Sequence, residues 1–160
     1  MRTLLFLAVS VAFLLQAGCN SDTGRPTDLP KLYRVNITVI QDGKPLEDAI
    51  VTLEPKIPTT YSSSAKTNAS GIATIQTYGY NGVPAGDYAV LVQKIGSENQ
   101  VETKTEQGET LLSGGQSYDY VDARYADRVN PQFSITVTEK GAQETFDVGK
   151  AVRVFRRNNP

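Results

Sequence analysis

The chain has 160 residues, with 16 Lys and Arg against 17 Asp and Glu, one cysteine and no histidine. A charge this close to zero gives no bulk attraction to nucleic acid, and a single thiol allows no disulfide within one copy. Without histidine there is no Ser-His-Asp triad, no Cys-His pair and no His-containing zinc site, so carboxylates, lysines and tyrosines are the only acid/base groups left.

In chain order, Met1-Arg2-Thr3 carries positive charge, Leu4 to Leu15 is apolar and small, and Gln16-Ala17-Gly18 is a small-residue exit. That is the pattern of an export signal, too short for a membrane span of about 20 apolar residues. Cys19 follows at once. Ala17-Gly18-Cys19 resembles the lipobox of bacterial lipoproteins, with Gln16 where that family usually has an aliphatic residue. The resemblance implies a signal peptide over 1–18 and an acylated Cys19 as the new N-terminus, tethered to a bilayer at about 0.8 kcal/mol per buried CH₂. By the same analogy Asn20, standing where an inner-membrane retention aspartate would, implies the outer membrane, facing the periplasm or the surface. Asn20 to Pro30 is polar, broken by Gly24, Pro26 and Pro30, and predicts a flexible tether over 19–31.

Period-two alternation then begins. Tyr33, Val35, Ile37 and Val39 alternate with polar residues and predict a half-buried strand. Asp42-Gly43 supplies a hairpin turn. Ala49, Val51 and Leu53 predict a second strand, Tyr61 to Ser64 a loop, Asn68 to Gly71 a turn, and Ile72 to Thr77 a third strand. Tyr88 to Ile95 is apolar on both faces and predicts a central strand. Gly96 to Gln116 is glycine-rich and of mixed charge; it opens an irregular excursion, over 96–130, that cannot be one long helix. Phe133, Ile135 and Val137 predict a late strand, Lys140-Gly141-Ala142 a turn, and Thr145 to Val148 the returning strand. Residues 150–160 form a basic tail. The whole reads as all-β: a single antiparallel Greek-key sandwich of about seven strands over 32–149.

Three segments carry a further resemblance: Gly43-Lys44-Pro45-Leu46-Glu47-Asp48-Ala49-Ile50-Val51-Thr52-Leu53, Thr67-Asn68-Ala69-Ser70-Gly71-Ile72-Ala73, and Gly82-Val83-Pro84-Ala85-Gly86-Asp87-Tyr88. In this order they are similar to the carboxypeptidase regulatory-like domain, a transthyretin-like (prealbumin-type) β-sandwich. The resemblance implies structural roles: Ala49 for close approach of strands, Gly71 and Gly86 for unusual backbone, and Tyr88 for a buried ring with a bonded hydroxyl, as in a tyrosine corner. The histidine-dependent hydrolases and iron dioxygenases of similar fold do not transfer to a chain without histidine.

The candidate surfaces are two. Tyr78, Tyr80, Tyr118, Tyr120 and Tyr125 are candidates for stacking on a sugar ring. Lys150, Arg153, Arg156 and Arg157 are candidates for contact with anionic lipid or envelope polymer. Asp119, Asp122 and Asp127 match no calcium loop, and no carboxylate pair stands out for glycoside hydrolysis. The expectation is a non-catalytic envelope lipoprotein, with no metal or cofactor. It is held to the membrane by Cys19 and binds a protein or glycan through its loops. A carbohydrate-binding module is the alternative, and a carboxylate-based hydrolase the least favoured.

Overall fold

The computed structural model describes residues 26–57 and 61–156. The expected signal peptide, Cys19, the first part of the expected tether and Arg157 lie outside the described residues. The strands are β1 (Val35–Gln41), β2 (Lys44–Pro45), β3 (Ile50–Pro55), β4 (Ser63–Lys66), β5 (Ile72–Thr74), β6 (Gln76–Thr77), β7 (Tyr80–Asn81), β8 (Gly86–Gln93), β9 (Ile95–Glu98), β10 (Val101–Lys104), β11 (Thr110–Ser113), β12 (Gln116–Asp119), β13 (Phe133–Val137), β14 (Ala142–Asp147) and β15 (Val154–Phe155). One 3₁₀ turn, Ala123–Ala126, lies between β12 and β13. The protein is all-β, as its alternation predicts.

Two sheets face each other. One runs β14-β1-β2, with β5 also on β1; the other runs β13-β8-β3-β4-β6-β7. The alternation in β1 explains the layering: Val35, Ile37 and Val39 are fully buried while the residues between them are only half-buried. They meet Val51 and Leu53 of β3, Val90 and Val92 of β8, and Ile135 and Val137 of β13 in one core. β8 lies between β13 and β3 and is buried continuously from Tyr88 to Val92. This is the covered central strand its apolar run predicts.

The turns follow from their chemistry. Asp42 and Gly43 both take positive φ, 51° and 71°, and close the β1–β2 hairpin, as a two-residue turn requires. Buried Thr67 ties the 46–49 segment to the body. Its hydroxyl accepts from the Ala49 N–H at 2.8 Å and donates to the Leu46 carbonyl at 2.6 Å. The Asn68 side chain then accepts from the Ser70 and Ile72 N–H groups. Gly71 sits at φ 73°, where a Cβ would come within 2.5 Å of the Val39 carbonyl oxygen; only glycine fits. The Tyr88 ring is buried and its hydroxyl donates to the Pro84 carbonyl at 2.9 Å. Burial pushes its pKa up.

Four features depart from the sequence reading. The chain does turn after β13, but it crosses to the other sheet, and β14 pairs parallel with β1 from Val35↔Ala142 to Ile40↔Asp147. The sandwich is therefore not wholly antiparallel, because the 138–141 turn joins edge strands of opposite sheets. Ser63 and Ser64, expected as loop, open a strand, β4, between β3 and β6, fixed by a buried Ser63–Thr77 hydroxyl pair at 2.8 Å. The 96–130 excursion is regular in its first part, where β9 pairs with β12 and β10 with β11, and only its 120–130 stretch is without strands. The predicted tether also ends early. Leu29 is buried and the Asp28 carbonyl accepts from the Tyr61 hydroxyl at 2.6 Å, so the chain already lies on the body there.

Candidate binding surfaces at the two ends

The strand directions give the sandwich two ends. At the proximal end the described chain begins, Tyr33 bridges Val83, and the Ala142 N–H donates to the Arg34 carbonyl across from the 138–141 turn. At the distal end β1 finishes at Gln41, whose side chain donates to the Tyr120 carbonyl, and the Tyr120 N–H donates to the Lys94 carbonyl just after β8. The excursion belongs to the distal end.

A three-stranded sheet, β15-β12-β9, bolts the excursion down. Glu98 on β9 receives Arg153 through Nη2 at 2.6 Å and Nε at 3.2 Å, and the Tyr120 hydroxyl at 2.5 Å. The Arg153 hydrogen bonds, seconded by Tyr120, hold the Glu98 carboxyl down to about 2. The same contact raises the Arg153 and Tyr120 pKa values. The Arg153 guanidinium also lies 3.8 Å from the Tyr118 ring centre, and Phe155 meets that ring edge-on at 5.7 Å. Gly96 leaves room for the Tyr120 ring, which a Cβ would approach to 2.8 Å. Asp119 pairs with Arg156 at 3.3 Å. Beyond this clasp the β10–β11 hairpin is exposed along its whole length, and Val101, Leu111 and Leu112 stand at 60, 53 and 56% exposure.

The five candidate tyrosines do not form one platform. Tyr78 and Tyr80 flank a turn at the proximal end, with Tyr78 exposed at φ 50° and Tyr61 edge-on to it at 6.0 Å. Tyr118, Tyr120 and Tyr125 lie distally. Tyr118 and Tyr125 are buried, which removes them from any exposed stacking face. Tyr125 stacks on Phe133, which stacks on Phe146, so its ring serves the core. The basic tail divides likewise. Lys150 is exposed, but Arg153 and Arg156 are engaged by Glu98 and Asp119. Their charge is met inside the chain and is poorly placed for an anionic surface.

The acidic residues of this region shape its backbone. Asp122 accepts from the Arg124 N–H at the start of the 3₁₀ turn. Asp127 accepts from the Asn130 and Val129 N–H groups, which lower its pKa. Among the described residues no three Cys, Asp or Glu side chains group as metal ligands, and no helix there is long and apolar enough to cross a membrane. The hairpin lies within the 96–130 loops expected to carry binding, and its Leu111-Leu112 pair stands out inside a polar run.

No family model matches this chain, and no curated protein matches it. Two solved structures resemble it weakly. The major pilin subunit of Bacillus cereus is 11% identical with a TM-score of 0.39, over 74% of this chain and 30% of that one. A 9R-lipoxygenase from Cyanothece is 14% identical with a TM-score of 0.30, over 74% of this chain and 16% of that one. The chain spans less than a third of either, and likenesses this low carry no argument about what it does.

Proposed function

We propose that this chain is a lipoprotein of a bacterial cell envelope, anchored through Cys19, whose sandwich is a non-catalytic structural or binding module for an envelope protein. The observation that carries the reading is the distal hairpin. β10 and β11 expose Val101, Leu111 and Leu112 on a two-stranded ribbon, which has little stability alone. Its base is held by Glu98, Arg153 and Tyr120. An exposed ribbon on a rigid scaffold, with these three apolar side chains among polar ones, suits recognition by loop contact or strand addition. The Thr67 knot, Gly71 and the Tyr88–Pro84 bond give physical reasons for the three motifs. They support the finer reading of a carboxypeptidase regulatory-like, transthyretin-like domain.

In-cell cross-linking of the full-length chain, followed by mass spectrometry, tests this. One dominant protein partner is expected, lost in Cys19→Ala and in the double variant Leu111→Ser/Leu112→Ser. A cross-link pattern unchanged by the hairpin variant would overturn the binding assignment.

A further inference from the structure

We propose that the proximal end of the sandwich is a membrane-docking face, resting on the anionic phospholipid headgroups of the bilayer that holds the lipid on Cys19. The inference rests on the anchoring reading above and assigns the lipid contact to the end opposite the basic tail.

The reach of the chain comes first. Six residues lie between Cys19 and Pro26, seven chain steps with a contour of at most about 25 Å. By Leu29 the chain is fixed to the body at its proximal end. The eight residues of β8 alone span roughly 27 Å. Bringing Lys150 or Arg156 to the bilayer would need the connection fully stretched and the domain inverted. The proximal end meets the bilayer whenever the connection is slack.

The chemistry of that end fits an interface. Ile57 is 80% exposed and Tyr78 is 53% exposed at the tip of its turn. A bulky residue at positive φ costs strain, and such strain gathers at working surfaces. Tyrosines and aliphatics flanked by Lys and Arg are the side chains that favour the boundary between headgroups and acyl chains. Four cations share this end, Lys31, Arg34, Lys56 and Lys140, against three carboxylates, Asp28, Asp87 and Glu139; over the rest of the described chain thirteen carboxylates outnumber nine cations. None of those four cations is ion-paired among the described residues. Arg34 and Lys140 line a groove of about 290 Å³ with Asn36, Gly141, Ala142 and Gln143, open to a headgroup phosphate. Attraction of this kind fades beyond a Debye length of about 8 Å, so it acts only on a face held close, as the short connection would hold it.

The test uses the full-length lipidated chain in vesicles with roughly one-third anionic phospholipid and a lipid-borne quencher. One fluorophore is placed on Ser62→Cys at the proximal end and, in a second sample, on Glu106→Cys in the hairpin. The proximal probe should be quenched and the distal probe not. Quenching should disappear in Lys31→Glu/Arg34→Glu/Lys140→Glu, in zwitterionic vesicles and at high salt, while flotation with the vesicles persists. Ile57→Asp, a single exposed change, should weaken it in the same direction. A chain that floats but shows equal quenching at both ends, or whose charge-reversed form docks unchanged, overturns the docking face and leaves the anchor standing. A chain that fails to float overturns the anchor, and the docking face falls with it.

Discussion

The two ends of this sandwich are built on opposite terms. At the proximal end the described turns are tied to neighbouring strands by backbone bonds such as Tyr33 to Val83 and Ala142 to Arg34, and four cations are left without ion pairs among the described residues. At the distal end a long excursion is held by a small set of pairs that consume the charge of Arg153 and Arg156. A basic run in the sequence is therefore no guide to where positive charge is available; that depends on which carboxylates the fold brings to it.

The comparison rests on both ends sharing one core, and the largest expected effect tests that. Ile37 is fully buried between the sheets. Ile37→Ala should cost about 2–5 kcal/mol, and urea melts followed at Ser62→Cys and Glu106→Cys should shift together. Separate midpoints for the two probes would mean that the excursion is an independent unit. The next effect is local to the distal turn. Thr67→Val leaves the buried Ala49 N–H and Leu46 carbonyl without their partner, at about 1–3 kcal/mol. Thr67→Ser keeps the hydroxyl and should recover most of that loss in the same melts.

How much of this was legible depended on whether the signal was local. The alternation in β1 and β13, the Asp42-Gly43 turn, the covered β8 run and the Tyr88 hydroxyl bond are each fixed by residues within one strand or turn, and each was readable. β4 was not, because Ser63-Ser64-Ala65-Lys66 has no apolar alternation and owes its extension to strands on both sides. The parallel placement of β14 was hidden because its partner, β1, lies about a hundred residues earlier. The Glu98–Arg153 clasp joins positions 55 apart, and the same clasp turns Tyr118 from a candidate sugar platform into a ring covered by a guanidinium.

The clasp gives a smaller, pH-dependent effect. Glu98 is held at about 2 in the folded chain, below the usual carboxylate value of about 4.3. A depressed folded pKa contributes stability that is fully present above the unfolded value and lost as pH falls through the folded one. Lowering pH from about 4.5 to about 2 should therefore loosen the excursion. Amide exchange in β9 and β12 should rise over that window while β8 stays protected. Glu98→Gln should remove the dependence, and a variant that keeps it would place its source elsewhere.

The smallest effect on stability belongs to the residues with the largest proposed role. Leu111 and Leu112 bury little of themselves against the body, so Leu111→Ser/Leu112→Ser should move the melting curve by no more than about 0.5 kcal/mol. The same change should remove the dominant cross-linked partner. These two readouts must separate for the distal end to be a recognition surface. A double variant that unfolds the domain would show the leucines to be core residues covered in the native state. One that neither destabilises nor loses the partner would leave the hairpin a solvated ribbon. The ribbon is otherwise polar, and each exposed leucine side chain leaves ungained about 2 kcal/mol of burial. A partner that covers them would recover that burial, which is why stability and capture should come apart at this hairpin and nowhere in the core.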